Sequence, residues 1–305
     1  MLETFLAWTY LWPFSAAVLA ILFLGLLTIN LLLSLCVFAL YLLLPTTLID
    51  DFLHWCVNTI RKKFEDYFVR VEEHLAQTFP MVNQERIPKS ALLLWHPHSL
   101  MSVTPTIHCS FRIHELDTKI VSHGIYHFFP FVRDFARLAN SIPANFDAMK
   151  KTLEEGHTVS VMPGGVREML STTDDKIIKL VIRRRRGVFK LALQTGTPLV
   201  PILTYGEHKL FPPLTSPTLN VLNELIYSLI RVAVPLTSWT AIKNWINLYY
   251  HPLEQVVTHV GEPLKVEKIS NPSDDEILDL RDKYIKELKK LFEETKPEGY
   301  TLVID

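Results

Sequence analysis

The sequence predicts an α/β fold: an N-terminal transmembrane or re-entrant helical hairpin, then one mixed α/β domain. Three observations point there. Residues 4–49 carry no charge, although the chain holds 31 Lys+Arg and 32 Asp+Glu. Every charged residue except Glu3 therefore lies beyond that stretch, at the density of an ordinary folded domain. In the body, short apolar runs bounded by turn signals alternate with helical patterns, the signature of a sheet with helices on its faces. The expected division is 1–49 as membrane anchor and 50–305 as one domain, long enough to bury a sizeable core.

The anchor comes first. About 20 helical residues cross a bilayer, and residues 4–49 exceed that, so two helical halves joined by a turn fit best. The weakest helical point is 25–30, with apolar halves at 14–24 and 31–44. Each half is short for a full span, which leaves a re-entrant dip into one leaflet open. Trp8, Tyr10 and Trp12 suit an interface. A cleaved signal peptide fits poorly, because there is no basic leading region and the apolar run is too long. Arg61, Lys62 and Lys63 follow the anchor, and the positive-inside tendency puts the body in the cytosol.

Residues 51–75 read as one amphipathic helix, with Leu53, Val57, Ile60, Phe64, Phe68, Val71 and Leu75 on one face. Pro80 and Pro88 end it. Strand-like runs follow at 91–95, 119–122, 158–162, 177–182, 199–203 and 256–260, with helices expected at 146–155 and 188–195. Residues 219–234 are apolar around most of their circumference, interrupted by Glu224 and Arg231. Two readings are open: a core helix, or a segment in the membrane interface near a lipid site. The final helix is the clearest, with Ser273 and Glu276 as a capping box and Ile277, Leu280, Tyr284, Leu288 and Leu291 as its apolar stripe.

Composition excludes several function classes. A net charge of −1 leaves no basic field for nucleic acid. Three cysteines, none in a C-x-x-C pair, exclude a disulfide framework and a thiolate zinc site and suit a reducing compartment. No G-x-S-x-G elbow and no Walker A sequence occur.

Three constellations are left to carry chemistry. His96-Pro97-His98-Ser99 follows the run 91–95, where proline stops the ladder and leaves both histidines at a strand end. One is a candidate general base, since an unperturbed imidazole titrates near 6.5. A metal pair or plain turn residues are the competing readings; His123 and His127, four apart, are the available extra ligands, and no metal is expected. Met162-Pro163-Gly164-Gly165-Val166-Arg167-Glu168 also follows an apolar run, and its two glycines allow close backbone approach beside a carboxylate. Arg183-Arg184-Arg185-Arg186-Gly187 opens the helix 188–195 and is either a solvated face or a phosphate site.

Taken in order, these motifs resemble the type-2 diacylglycerol acyltransferase family, which includes the monoacylglycerol and wax-alcohol acyltransferases. Arg186-Gly187-Val188-Phe189-Lys190-Leu191-Ala192-Leu193, Leu199-Val200-Pro201-Ile202, Tyr205-Gly206-Glu207 and Val260-Gly261-Glu262-Pro263 extend the resemblance over most of the body. Animal and fungal members usually read HPHG at the first motif and plant members EPHS; this chain combines the histidine of one with the serine of the other. The second histidine is common to both, so the resemblance assigns the base to His98. The common acyltransferase signature, aspartate five positions beyond a histidine, is absent for every histidine here, so an acyltransferase reading is not of that type.

The resemblance implies an acyl-CoA co-substrate, no further cofactor, and a neutral lipid alcohol as acceptor, diacylglycerol first; the alternatives are a monoacylglycerol or wax-alcohol acyltransferase, or a catalytically silent lipid-binding scaffold. His98, His96 and Glu168 are then the catalytic group. Pro97, Ser99, Gly164, Gly165, Arg183, Arg184, Arg185, Arg186 and Gly187 are the substrate-binding group, with the Gly164-Gly165 amides facing the oxyanion and the arginines holding CoA phosphates. The expected setting is the endoplasmic reticulum membrane, body toward the cytosol, with lipid droplets as a second location. Membrane lipid is an expected partner, nucleic acid is not, and a homo-oligomer is left open.

Overall fold

The computed structural model describes residues 24–25, 31–100, 102–110, 118–171, 176–214, 216–230, 237–248 and 253–305. Apart from Leu24 and Gly25, the first half of the expected hairpin and its turn lie outside them. The described chain opens with helices α1 (Leu31–Leu43), α2 (Thr46–Lys63) and α3 (Glu65–Thr78). It continues through β1 (Met81–Val82), β2 (Leu92–His96), α4 (Val103–Ser110), β3 (Thr118–Ser122), α5 (Gly124–Phe128), α6 (Val132–Leu138), β4 (Ser141–Pro143) and α7 (Phe146–Glu154). Then follow β5 (Thr158–Val161), α8 (Gly165–Ser171), β6 (Ile177–Leu180), α9 (Gly187–Thr195), β7 (Leu199–Tyr205), α10 (Glu207–Leu210), α11 (Pro217–Ile230) and α12 (Trp239–Asn247). β8 (Val257–Val260), α13 (Asp274–Thr295) and β9 (Thr301–Ile304) complete it.

The main sheet has seven strands in the order β1-β8-β7-β2-β5-β3-β4. Its pairs are parallel except β7 with β8. Both faces are covered, which is why the central strands β2 and β7 are buried along their full length. On β2 the period of two sorts the side chains. Leu92 and Leu94 pack with Phe189, Leu191, Tyr284 and Leu288 of α9 and α13. Leu93 and Trp95 turn the other way, toward Val200, Ile202 and Val260. All six strand-like runs are strands, but β6 leaves the main sheet and pairs with β9 in a separate parallel ribbon. The capping box of the last helix forms as expected, Ser273 accepting from the Glu276 N–H and Glu276 returning the bond.

Two expectations change. The helix expected over 51–75 is two, broken at Phe64, whose backbone (φ −123°, ψ 36°) leaves the helical region. A core position for 219–234 is overturned for the described part: along α11 Val221, Leu225 and Leu229 are 70%, 55% and 73% exposed.

α1 and α2 are not free of the body. The Tyr41 hydroxyl donates to the buried Asp134 and accepts the Phe131 N–H at 2.7 Å, with the Tyr41 and Phe131 rings stacked at 4.2 Å. Arg137 reaches Asp50 at 3.0 Å and Asp134 at 2.6 Å. Among the described residues no single helix is long and apolar enough to cross a membrane. Val37–Leu43 together with Thr46–Lys63 pass on length and composition, bent by 109°.

Candidate active site

The central order β7-β2-β5 decides where the motifs meet. β2 ends at His96, β5 at Val161 and β7 at Tyr205, and all three run parallel. The segments that follow them, 97–99, 162–168 and 206–207, therefore emerge side by side at the carboxyl edge, where open α/β sheets place their sites.

His96 ends the face of β2 that carries Leu92 and Leu94. That position buries it completely and directs its Nε2 to the Tyr284 hydroxyl of α13, 3.0 Å away. Burial holds its pKa down at about 3. A group that stays neutral throughout the physiological range is a support for the site rather than a proton carrier.

His98 lies beyond the strand end and is partly exposed. Its ring Nδ1 is 2.8 Å from the Ser99 carbonyl oxygen. A carbonyl only accepts, so Nδ1 carries the hydrogen and Nε2 is the lone-pair nitrogen. Burial lowers the His98 pKa below the ordinary value, against the Ser99 carbonyl and the Glu207 carboxylate, which raise it. The ring is thus a neutral base of defined tautomer near pH 7. The Ser102 hydroxyl makes a longer contact to the same Nδ1, 3.4 Å.

Glu168 joins the first two motifs. Fully buried on α8, its carboxylate accepts the His98 N–H at 2.5 Å and the Val181 N–H at 2.9 Å. Burial pushes its pKa up to about 7, with those two bonds and the nearby Arg185 pulling the other way. Gly164 is required by this packing, because a Cβ there would lie 1.9 Å from Glu168 Oε2. Gly165 has φ +59°, a conformation that favours glycine, and its N–H donates to the Met162 carbonyl at 3.3 Å. That amide is engaged in the turn.

The arginine run divides. Arg185 turns inward and donates from Nη2 to the Gly164 carbonyl at 2.5 Å. Arg183 donates to the Ile304 carbonyl, Arg186 pairs with Asp274 at 3.2 Å, and Arg184 is exposed. Gly187 opens α9 at the surface with open space around it. Arg185 therefore joins the glycine motif, whereas Arg183, Arg184 and Arg186 are exposed. His123 caps α5 through the Ile125 N–H, and His127 Nε2 meets the Ser122 hydroxyl at 2.9 Å.

Two contributors were missed by sequence reasoning. Tyr284 was legible only as part of an apolar stripe, and nothing in that stripe distinguishes a hydroxyl used as a partner. Glu207 stood inside a motif but had no role. Its buried carboxylate accepts the Ser99 hydroxyl, the Val103 N–H at 2.8 Å and the Thr104 N–H at 3.1 Å. Ser99 in turn accepts the Ser102 N–H at 3.0 Å. Serine fits at position 99 because the left-handed backbone of this loop falls on Ser102 (φ 49°) and not on Ser99.

A family model described as diacylglycerol acyltransferase matches residues 33–302. The chain belongs to that family. The chain is 30% identical to cattle 2-acylglycerol O-acyltransferase 1, covering 82% of this chain and 78% of that one. It is 24% identical to diacylglycerol O-acyltransferase 2 of Dictyostelium discoideum, over 71% and 69%. It is 27% identical to mouse acyl-CoA wax alcohol acyltransferase 2, over 74% and 73%. As a member of the diacylglycerol acyltransferase family the protein is an acyltransferase, and the carboxyl edge of β7-β2-β5 is where family motifs and a base-competent histidine coincide.

Proposed function

We propose that the protein esterifies a neutral lipid alcohol with acyl-CoA, diacylglycerol being the first acceptor and triacylglycerol the product. The observation that carries this is the His98 tautomer, in which Nδ1–H is tied to Ser99 and Nε2 is left to accept a proton. The acceptor hydroxyl gives its proton to Nε2 as its oxygen attacks the thioester carbonyl. The tetrahedral intermediate then collapses, the C–S bond breaks, and the CoA thiolate takes the proton back from His98. His96 and Tyr284 brace the strand end, and Glu168 holds the His98 backbone against α8. The exposed arginines of the 183–186 run offer charge to CoA phosphates.

The site works at a lipid surface in this reading. Residues 1–49 anchor the chain in the endoplasmic reticulum membrane as a hairpin, and the body, 50–305, faces the cytosol. Exposed Leu43, Phe52 and Trp55 on α1 and α2 support a membrane setting, since so much apolar surface is unfavourable in water. Monoacylglycerol is the second acceptor, favoured by the similarity to a 2-acylglycerol O-acyltransferase. Microsomes expressing the chain, supplied with labelled acyl-CoA and each alcohol in turn, test both. Labelled triacylglycerol from diacylglycerol is expected; ester from the long-chain alcohol alone would overturn the glyceride reading, and no ester from any alcohol would overturn the activity.

A further inference from the structure

From the contacts around the His96-Pro97-His98-Ser99 loop we infer that Glu207 is a positioning residue for the His98 base. The inference rests on the acyl-transfer reading above. The loop is held by two buried carboxylates from opposite sides. Glu168, on α8 after β5, grips it through the His98 N–H. Glu207, at the start of α10 after β7, grips it one residue later through the Ser99 hydroxyl. Glu207 also accepts the Val103 and Thr104 amides, the first free N–H groups of α4. One carboxylate thus fastens the base-bearing loop to a helix end whose dipole favours negative charge.

The chain of contacts reaches the ring itself. Ser99, fixed by Glu207, presents the carbonyl that receives His98 Nδ1–H, and its hydroxyl receives the Ser102 N–H. Ser102 in turn places its own hydroxyl near Nδ1. Removing Glu207 would loosen the two groups that set the tautomer, without touching the nitrogen that takes the proton. The charged and titratable groups around His98 are Glu168 from α8, Glu207 and His208 from α10, and Tyr284 beyond His96 from α13. Glu207 is an anionic neighbour that favours the protonated ring.

The test is Glu207→Gln in the full membrane-bound chain, with kcat, acyl-CoA KM and the pH–rate profile measured beside wild type. A positioning role predicts kcat down about 10–100-fold, less than the roughly 10²–10⁴-fold that the base itself contributes, and acyl-CoA KM changed less than about threefold. It also predicts that the acid limb moves to lower pH, because loss of the anion eases deprotonation of His98. Wild-type kcat with an unmoved limb overturns the inference. So does a raised acyl-CoA KM at unchanged kcat, which would make Glu207 part of donor binding. If limited proteolysis finds Glu207→Gln unfolded, Ser99→Ala decides: it keeps both helix-end bonds to Glu207 and removes the hydroxyl that ties Glu207 to the loop and receives the Ser102 N–H. A several-fold loss of kcat at constant acyl-CoA KM supports the role, and a wild-type rate overturns it. Wild type inactive with every acceptor would instead overturn the acyl-transfer reading, so the two failures are distinguishable.

Discussion

The Glu168 carboxylate accepts the backbone N–H of His98 at 2.5 Å, across 70 residues of sequence. This bond makes one site out of two motifs. It also places a buried carboxyl group, its pKa pushed up to about 7, against the histidine loop.

Substituting His98 and the tyrosine that braces His96 should give different results. His98→Ala is expected to lower acyl transfer about 10²–10⁴-fold with the protein still folded and membrane-bound, the contribution of a positioned base. Tyr284→Phe leaves His96 Nε2 buried without its partner and should cost about 1–3 kcal/mol of stability, with the pH–rate profile unmoved. Labelled ester formed per unit protein, together with melting temperatures, checks both. Full activity in His98→Ala would move the base elsewhere.

The pH–rate profile should be flat around pH 7 and fall only below the ordinary histidine value, about 6.5. The sign follows from the lowered His98 pKa: the ring stays an unprotonated base until the pH drops under that depressed value. Single-turnover rates between pH 5 and 8 measure it. A limb centred above 6.5 would contradict the environment described for His98.

Glu168 makes a separate prediction about stability. Its folded pKa, about 7, lies above the usual carboxyl value, so the folded state holds the extra proton. The resulting stabilisation is fully present below the unfolded pKa, about 4.3, and is lost as pH rises through about 7. The melting temperature of wild type relative to Glu168→Gln should therefore fall between pH 5 and 8. A constant difference would mean that the carboxyl does not titrate there.

Gly164→Ala should damage the site through Glu168 alone. The new methyl would lie where Glu168 Oε2 now sits, 1.9 Å away, and forced overpacking of this kind costs about 1–3 kcal/mol. Activity should fall with stability, and Gly187→Ala, with open space around it, should change neither. Equal effects at the two glycines would refute the packing account.

Neutralising Arg184 and Arg186 together should raise acyl-CoA KM about tenfold while leaving acceptor KM unchanged, if charge-assisted contacts to phosphates form there. Arg185→Ala should behave differently, lowering kcat, because that side chain holds the Gly164 carbonyl. Unchanged acyl-CoA dependence would make the outer arginines a solvated face.

Much of the sheet was legible because its central strands are continuous apolar runs buried on both faces, as at Leu92 to Trp95 and Leu199 to Leu203. β1, with two residues, and β4, which ends at Pro143, are too short to carry a period. β9 alternates between exposed and half-buried positions, and its pairing with β6 depends on tertiary contact. The break at Phe64 carries no proline or glycine signal. At the site, His98 and Glu168 could be nominated from residue type beside a strand end. Tyr284 and Glu207 could not, because their roles arise only when α13 and α10 pack onto the loop.

The bond between His96 and Tyr284 joins positions 188 residues apart. During synthesis the ribosome releases the histidine loop long before the helix that braces it. A nascent chain would carry that loop unbraced until α13 emerges, so the last long helix would be the step that completes the loop's support.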